Sequence, residues 1–163
     1  MTPIDSINAI ERPGPPRQVA TFVLADMYFG VEVEKVQEVL KFQQMTRIPL
    51  APPVVRGLIN LRGQIVTAVE LRRRLGLAER PSGALPMNVV VRTTDGLASL
   101  LVDEIGDVLE VEAAQFEPTP DTLTGPARDL VRGVFKLKNQ LLLLLDEERA
   151  AMVDPAHSGS RGC

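Results

Sequence analysis

Residues 54–71 read VVRGLINLRGQIVTAVEL, and this stretch contains two apolar runs that flank Arg62 and Gly63. Apolar, β-branched runs on either side of a short turn are typical of a β-hairpin. Glycine closes such a turn because it adopts positive φ without a steric penalty. We therefore predict strands at residues 57–61 and 64–69, with Arg62 projecting from the tip of the hairpin.

Three further hairpins are predicted from similar runs, and their strands cover residues 19–24 and 28–33, 88–93 and 97–102, and 130–137 and 141–145. Asp95-Gly96 is a strong turn signal because both residues tolerate positive φ. The five leucines at 141–145 suit a strand covered on both faces, and a helix is the alternative because periodicity does not separate the two. Short helices are predicted at residues 34–40, 71–77 and 146–152.

The chain contains an internal repeat. Residues 33–40, VEKVQEVL, align with residues 102–109, VDEIGDVL, and residues 56–64, RGLINLRGQ, align with residues 132–140, RGVFKLKNQ. Each half has the same order of hairpin, acidic motif, proline-containing connection and second hairpin. Four elements in one order favour duplication over a chance similarity of two strand-rich stretches.

Each half has about five short strands, enough for a small closed or nearly closed β-barrel without exposed strand edges. We predict a mainly β fold of two such barrels with short helices, including a C-terminal one, and a partner-binding groove between the barrels. The folded region is expected at residues 18–152, with halves at about 18–85 and 86–152. Ends rich in proline, glycine or serine predict flexible tails at residues 1–17 and 153–163.

Composition favours a cytoplasmic protein that acts by binding. The chain has 163 residues, 45% hydrophobic and 24% charged, which suffices for a core without a metal or disulfide. A net charge of −3 and 4% aromatic residues argue against a nucleic-acid partner. The single cysteine, Cys163, fits a reducing compartment. We identify no signal peptide or spanning segment, so we expect a soluble protein without direct membrane insertion.

The sequence offers no credible active site. The single histidine, His157, lies in the predicted C-terminal tail, which leaves the folded region without histidine triads or histidine metal sites. Two acidic groups could suggest carboxylate catalysis or a cation site, but their spacing fits the solvated side of short elements: Glu32 and Glu34, and Asp103, Glu104 and Asp107. We predict no enzymatic activity, no cofactor and no metal site.

These motifs together resemble the CheW family, the adaptor proteins of bacterial chemotaxis. The resemblance covers about residues 19–149 and rests on YFGV (28–31), KVQEV (35–39), TRIP (46–49), APP (51–53), GLINLRG (57–63) and LR (71–72), with LVD (101–103) and VL (108–109) in the second half. GLINLRG is the most specific of these motifs. The chain departs from the family at Thr67, where proline is usual, and at Glu70, where aspartate is usual.

The resemblance implies two intertwined five-stranded barrels of SH3-like form, with strands exchanged between the halves. It also implies a non-enzymatic scaffold that links the cytoplasmic hairpin tip of a chemoreceptor, a methyl-accepting chemotaxis protein, to the histidine kinase CheA. The kinase carries a regulatory domain of the same fold, so contacts with that domain and with other CheW copies can build array rings. The protein is then expected in the cytoplasm, recruited through its partners to membrane-associated receptor arrays.

Candidate contact residues come from the repeated motifs. The planar guanidinium of Arg62 can meet carboxylates or carbonyls of a partner, and a solvated turn arginine is the alternative. Two apolar stripes at three-to-four-residue spacing could grip a receptor helix, and core packing is the alternative: Val33, Val36 and Leu40, and Val102, Ile105 and Leu109. Glu38 and Asp107 are candidate polar rim contacts.

The complete set of candidate receptor- and kinase-binding residues is Val33, Val36, Glu38, Leu40, Gly57, Asn60, Arg62, Gly63, Val102, Ile105 and Val108. Two alternative functions stay open at this point. One is a related adaptor in a pilus-motility or other chemosensory kinase pathway. The other is a small β-barrel that binds a ligand or nucleic acid.

Overall fold

Eleven strands account for about half of residues 18–152, the part of the chain that the structure, a computed structural model, describes. The tails predicted at residues 1–17 and 153–163, with His157 and Cys163, lie outside the described residues. The strands are β1 Gln18–Leu24, β2 Met27–Glu32, β3 Val36–Leu40, β4 Val55–Leu61, β5 Gln64–Glu70, β6 Met87–Thr93, β7 Gly96–Val102, β8 Glu104–Glu110, β9 Phe116–Glu117, β10 Val131–Lys136 and β11 Leu141–Leu145. All four predicted hairpins are present.

The helices are short, and they are α1 Leu71–Arg74, α2 Pro126–Leu130 and α3 Glu147–Ala151, with 3-10 turns at Val33–Lys35 and Ala113–Gln115. Gly76, with φ 74°, follows α1 and ends it within the predicted range. Asp146 caps α3, since its carboxylate accepts a hydrogen bond from the Arg149 backbone N–H at 3.1 Å. None of the helices within residues 18–152 is long and apolar enough to cross a membrane.

The helix predicted at residues 34–40 is wrong, because most of this segment forms β3. Val36, Glu38 and Leu40 are half-buried, whereas Gln37 and Val39 are exposed, which is the period of two expected of a strand. The three-to-four-residue spacing of Val33, Val36 and Leu40 therefore came from a 3-10 turn followed by a strand. Pairing of β3 with β6 overrides the local pattern.

The strands form two sheets that share one arrangement. The five-stranded sheet has the order β3-β6-β7-β5-β4, and the six-stranded sheet has the order β8-β1-β2-β11-β10-β9. The first five positions correspond strand for strand under the internal repeat. Each sheet takes a hairpin from one half of the chain and three corresponding strands from the other, so the halves are intertwined as predicted. The closure of each sheet into a barrel stays a prediction.

A central apolar cluster holds the two sheets together. It contains residues of both, including the stacked rings of Phe22 and Phe29, 5.7 Å apart, with Leu100 and Leu145. Each sheet also has a smaller cluster of its own. These two clusters use positions that correspond under the repeat: Ile59 and Phe135, Leu61 and Leu137, Val66 and Leu142, and Ala68 and Leu144. The duplication therefore extends to the packing of the cores.

The leucine strand β11 is covered on both faces, as predicted. Leu142, Leu143, Leu144 and Leu145 are buried, and Leu141 at the start of the strand is exposed. Alternate leucines enter different clusters, Leu143 and Leu145 the central one, and Leu142 and Leu144 that of the six-stranded sheet. A strand that lies between two clusters must be apolar throughout, which explains the unbroken run.

One charged side chain is buried at the start of α3, which packs against β6 and β7. Burial raises the pKa of the Glu147 carboxyl, and the neighbouring carboxylates of Glu32 and Asp146 raise it further, although its own backbone N–H and Lys35 oppose them. Its Oε1 atom has no hydrogen-bond donor among the described residues. Ionised Glu147 therefore costs stability.

We expect Glu147→Gln to raise the free energy of unfolding at about pH 8, and to lose this advantage as the pH falls. The native pKa lies above that of the unfolded chain, so the penalty is present above the native pKa and absent below the unfolded one. Urea unfolding at a series of pH values measures the difference, with exposed Glu104→Gln as the control. A gain that grows towards acid pH would contradict this assignment.

Candidate partner-binding surface

The turn between β4 and β5 is built by two residues with positive φ. Arg62 has φ 50° and Gly63 has φ 89°, which fits a two-residue hairpin turn of type I′. The Gly63 backbone N–H donates a hydrogen bond of 2.8 Å to Oδ1 of Asn60. Asn60 and Gly63 thus shape the turn, and they fix the backbone from which the Arg62 side chain extends.

Arg62 and Glu38 are brought together by the fold. The guanidinium of Arg62 forms an ion pair with the Glu38 carboxylate, and the Arg62 side chain is 70% exposed, whereas that of Glu38 is 22% exposed. Glu38 lies on the edge strand β3, and Arg62 lies beside β4 at the opposite edge of the same sheet. Exposed ion pairs contribute about 1 kcal/mol or less, so a partner can compete for this guanidinium at little cost.

Gly57 is buried, and close packing explains why this position has no side chain. A Cβ atom there would lie 2.6 Å from the Thr46 carbonyl oxygen. Thr46 pairs with Leu58 through backbone hydrogen bonds of 2.9 and 2.8 Å, which draws the segment before β4 across the strand. Gly57 therefore permits the close approach of this segment, and it presents no side chain to a partner.

The apolar candidate residues differ in how deeply they are buried. Val102 is fully buried in the central cluster, so it supports the fold and cannot touch a partner. Val36 and Ile105 are half-buried at the margin of the same cluster, although they lie on edge strands of different sheets. Val108 is exposed on β8. The structure thus brings Val36 and Ile105 to one apolar cluster.

The remaining candidates lie on or beside β3, except Asp107, which lies on β8. Val33 is half-buried in the 3-10 turn before this strand, and Leu40 packs against the cluster of the five-stranded sheet. Asp107, the proposed counterpart of Glu38, is exposed, and its backbone carbonyl accepts a hydrogen bond of 2.6 Å from the Thr21 hydroxyl. The two polar rim candidates therefore have different surroundings.

Sequence reasoning missed three exposed apolar side chains, which are Val39, Ile65 and Leu141. Val39 and Val108 correspond under the repeat, as do Ile65 and Leu141, and all four are exposed. The aligned repeat contained part of this information, because Val39 is aligned with the candidate residue Val108. These residues add apolar surface beside Glu38 and Arg62 in the first half, and along β8 and β11 in the second.

Sequence reasoning also missed a buried ion network, which we define as Glu70, Arg72, Arg80 and Asp103. Asp103 was interpreted as part of a solvated acidic group, and this is wrong. Its carboxylate accepts hydrogen bonds from Arg72 at 2.6 and 3.0 Å, from Arg80 at 3.0 Å, and from the Ala25 backbone N–H at 2.7 Å. Glu70 accepts a bond of 2.9 Å from Arg80. The network fastens α1 and the following loop to the β1–β2 turn and the end of β7.

Other polar residues of the predicted surface form ordinary contacts. Glu32, from the other acidic group, forms an ion pair of 2.8 Å with Arg132. Within residues 18–152, no cluster of three or more histidine, cysteine or acidic residues is arranged to hold a metal ion. The arrangement presents an exposed guanidinium, apolar side chains and strand edges, which are groups suited to binding another protein.

Comparison with known proteins gives a consistent result. Residues 18–152 match the CheW-like domain family. The chain is 30% identical over 130 residues to the chemotaxis protein CheW of Rhizobium meliloti, which covers 80% of this chain and 84% of that protein. It is 30% identical over 128 residues to the chemotaxis protein CheW of Klebsiella aerogenes, which covers 78% of this chain and 77% of that protein.

The fold is similar to that of a solved structure as well. The crystal structure of the scaffolding protein TtCheW from Thermoanaerobacter tengcongensis superposes with a TM-score of 0.77 at 27% sequence identity. The match covers 86% of this chain and 95% of that protein. The two-sheet arrangement described above is therefore shared with an experimentally determined scaffold.

Proposed function

Because the chain belongs to the CheW family, we propose that it joins the cytoplasmic hairpin tip of a chemoreceptor to the regulatory domain of the histidine kinase CheA. Family membership makes it a non-enzymatic scaffold of chemotaxis. The identity of the two partners is the part that we propose. Support for them comes from the chemical groups that the described residues present.

The observation that carries the proposal is the exposed Arg62 guanidinium on its two-residue turn. The left-handed backbone and the Asn60 hydrogen bond hold the turn, so a partner does not have to order it. A planar guanidinium can donate two parallel hydrogen bonds to a carboxylate. At the centre of an interface, such an arginine contributes about 2 kcal/mol or more. We assign this contact to the kinase.

The apolar side chains suit the receptor. The tip of a chemoreceptor is a helical hairpin, and an amphipathic helix binds by laying its apolar face along a hydrophobic surface. Val36 and Ile105 offer such a surface at the margin of the central cluster, with Val33 and Val108 beside them. Val36 lies two residues from Glu38 on β3, so the receptor contact and the ion pair of Arg62 share one strand.

Signalling through this scaffold requires no chemistry in the chain itself. Holding receptor and kinase in one complex raises their effective concentration for each other. A change in the receptor passes to the kinase only through contacts whose free energies differ between the two states. Contacts of this kind would also recruit the protein to membrane-associated receptor arrays.

We expect Arg62→Ala to weaken binding of CheA about 30-fold, which corresponds to about 2 kcal/mol, and to leave the fold intact. Binding of CheA and of a receptor cytoplasmic fragment to the immobilised full chain measures the two affinities separately. Arg62→Lys keeps the charge but not the planar fork, and should fall between the wild type and alanine.

The matched control is Arg128→Ala, which removes another exposed arginine, located on α2 before β10. This variant should bind both partners as the wild type does. Unchanged affinity of Arg62→Ala for CheA would refute the assigned contact. Failure of the wild type to form a ternary complex with CheA and receptor fragment on gel filtration would refute the proposed coupling.

A further inference from the structure

A cavity of about 1000 Å³ lies between the loop of residues 42–53 and the loop of residues 79–84. Residues from the start of β4, the end of β5 and α1 complete its lining. This volume is at the upper end of the range of about 300–1,000 Å³ that is usual for small-molecule sites. The candidate contact residues at the β4–β5 turn do not line it.

The lining of this cavity is rich in positive charge. Its charged residues are Arg47, Arg56, Arg72, Arg73 and Arg80, with Glu70 and Glu79. Asp103 contacts two of the arginines from behind the lining. Five guanidinium groups thus face three carboxylates, in a chain whose net charge is −3. A positive potential in a concave surface attracts and concentrates anions.

The deepest arginine is incompletely bonded. The Arg80 side chain is only 7% exposed, and its Nε and Nη1 atoms donate to Asp103 at 3.0 Å and Glu70 at 2.9 Å. Its Nη2 atom is buried and has no acceptor among the described residues, and Oε2 of Glu70 is buried with no donor. A guanidinium only donates hydrogen bonds and a carboxylate only accepts them. A ligand acceptor would therefore satisfy Nη2 of Arg80, and a ligand donor would satisfy Oε2 of Glu70.

The arginines nearer the opening are only weakly held. The Arg56 side chain is 52% exposed, and its contact with Glu70 is long, at 3.4 Å. Arg73 is also partly exposed and pairs with Glu79 at 2.5 Å, where the glutamate is largely exposed. Both guanidinium groups can turn towards an incoming anion, since exposed pairs of this kind contribute little.

Part of the lining, which we call the proline wall, is apolar and stiff. It consists of residues from the two loops, namely Ile48, Pro49, Leu50, Pro52, Pro53 and Pro81. Proline fixes φ, so this wall loses little conformational entropy when a ligand packs against it. A carbon skeleton is suited to such a surface, whereas a bare inorganic anion would not use it.

We propose that this arginine-lined cavity binds a small organic anion that carries a carboxylate or phosphate group and a hydroxyl group. The anionic group would contact Arg56, Arg73 and Arg80, and the hydroxyl would donate to Glu70. The carbon skeleton would pack against the proline wall. This ligand site is separate from the scaffold role and does not depend on it.

Thermal unfolding of the full chain with added anions, at constant ionic strength set by sodium chloride, tests the proposal. The carboxylate arm compares citrate with tricarballylate, which lacks the hydroxyl, and the phosphate arm compares ribose 5-phosphate with inorganic phosphate. We expect citrate or ribose 5-phosphate to raise Tm by about 5 °C or more at a hundredfold excess over Kd. The comparison compound of the same arm should bind at least about tenfold more weakly, since it lacks groups that the cavity is built to contact.

Substitutions inside and outside the cavity test whether the anion binds there. Arg56→Ala and Arg73→Ala should each weaken binding at least about tenfold, because each removes a charge-assisted contact. Arg92→Ala, outside the cavity, should leave it unchanged. The proposal would be overturned if neither citrate nor ribose 5-phosphate raised Tm. It would also be overturned if all three variants lost the same affinity for the anion, because an equal loss indicates general electrostatic attraction. Inorganic phosphate that binds as tightly as the organic anions would refute the role of the proline wall.

Discussion

Asp103→Ala is expected to lower the free energy of unfolding by about 3–5 kcal/mol, because it leaves the buried Arg72 guanidinium without its carboxylate partner and leaves Arg80 with Glu70 alone. The side chains of Asp103, Arg72 and Arg80 are 17%, 10% and 7% exposed, so water replaces the lost bonds poorly. The Ala25 backbone N–H at the β1–β2 turn loses its acceptor as well. Urea unfolding at neutral pH, with the midpoint and slope compared to the wild type, measures the effect.

The same variant should be less harmful in acid. Burial by itself would raise the pKa of Asp103, but the hydrogen bonds from Arg72, the Ala25 N–H and Arg80 hold it below its usual range. The stability that this carboxylate contributes is therefore present above the unfolded pKa and is lost as the pH falls through the native one. The control is Asp95→Ala at an exposed position. The assignment would be contradicted if the difference in the free energy of unfolding between Asp103→Ala and the wild type did not change as the pH fell.

Phe135→Ala is expected to lower the free energy of unfolding by about 3–5 kcal/mol through the cavity that it leaves. The Phe135 side chain is fully buried, and its ring lies 5.0 Å from that of Phe116. It belongs to the cluster of the six-stranded sheet, with Leu142 and Leu144 on the neighbouring strand. Denaturant unfolding followed by far-ultraviolet circular dichroism measures the loss.

The repeat supplies a comparison for this variant. Ile59 occupies the corresponding position in the five-stranded sheet, so Ile59→Ala should cost about 2–5 kcal/mol. Leu141→Ala, on the exposed first residue of β11, should change stability by about 0.5 kcal/mol or less. A Phe135→Ala protein as stable as Leu141→Ala would refute the description of this core.

The hairpins were predictable because their determinants are local. Gly63 and Asp95-Gly96 mark turns, and the runs beside them are only five or six residues long, which suits strands. Residues 36–40 were not predictable in the same way, since their spacing suits a helix and only the pairing of β3 with β6 decides otherwise. That pairing joins the two halves of the chain, so no window of sequence around β3 contains it.

The exposed position of Arg62 could be predicted from the sequence, but the burial and contacts of the other candidate residues could not. Arg62 could be placed at an exposed turn from its neighbours alone, and the structure adds that it meets Glu38 from the far edge of the sheet. Val102 and Ile105 belong to one motif, yet the first is buried and the second is half-buried at a margin. Asp103 and Glu34 correspond under the repeat, but only Asp103 lies opposite Arg72 and Arg80, which are distant in sequence.

The exchange of hairpins between the halves has a consequence for the origin of this fold. A shorter polypeptide with one copy of the repeat could complete its sheet only by receiving the hairpin of a second molecule, giving a symmetric swapped dimer whose stability depends on concentration. Fusion of two copies removes that dependence and also frees each copy to change separately. Arg62-Gly63 at one hairpin tip thus corresponds to Lys138-Asn139 at the other. An ancestor of identical subunits would show the same tip twice, whereas the fused descendant offers different tips to unlike neighbours.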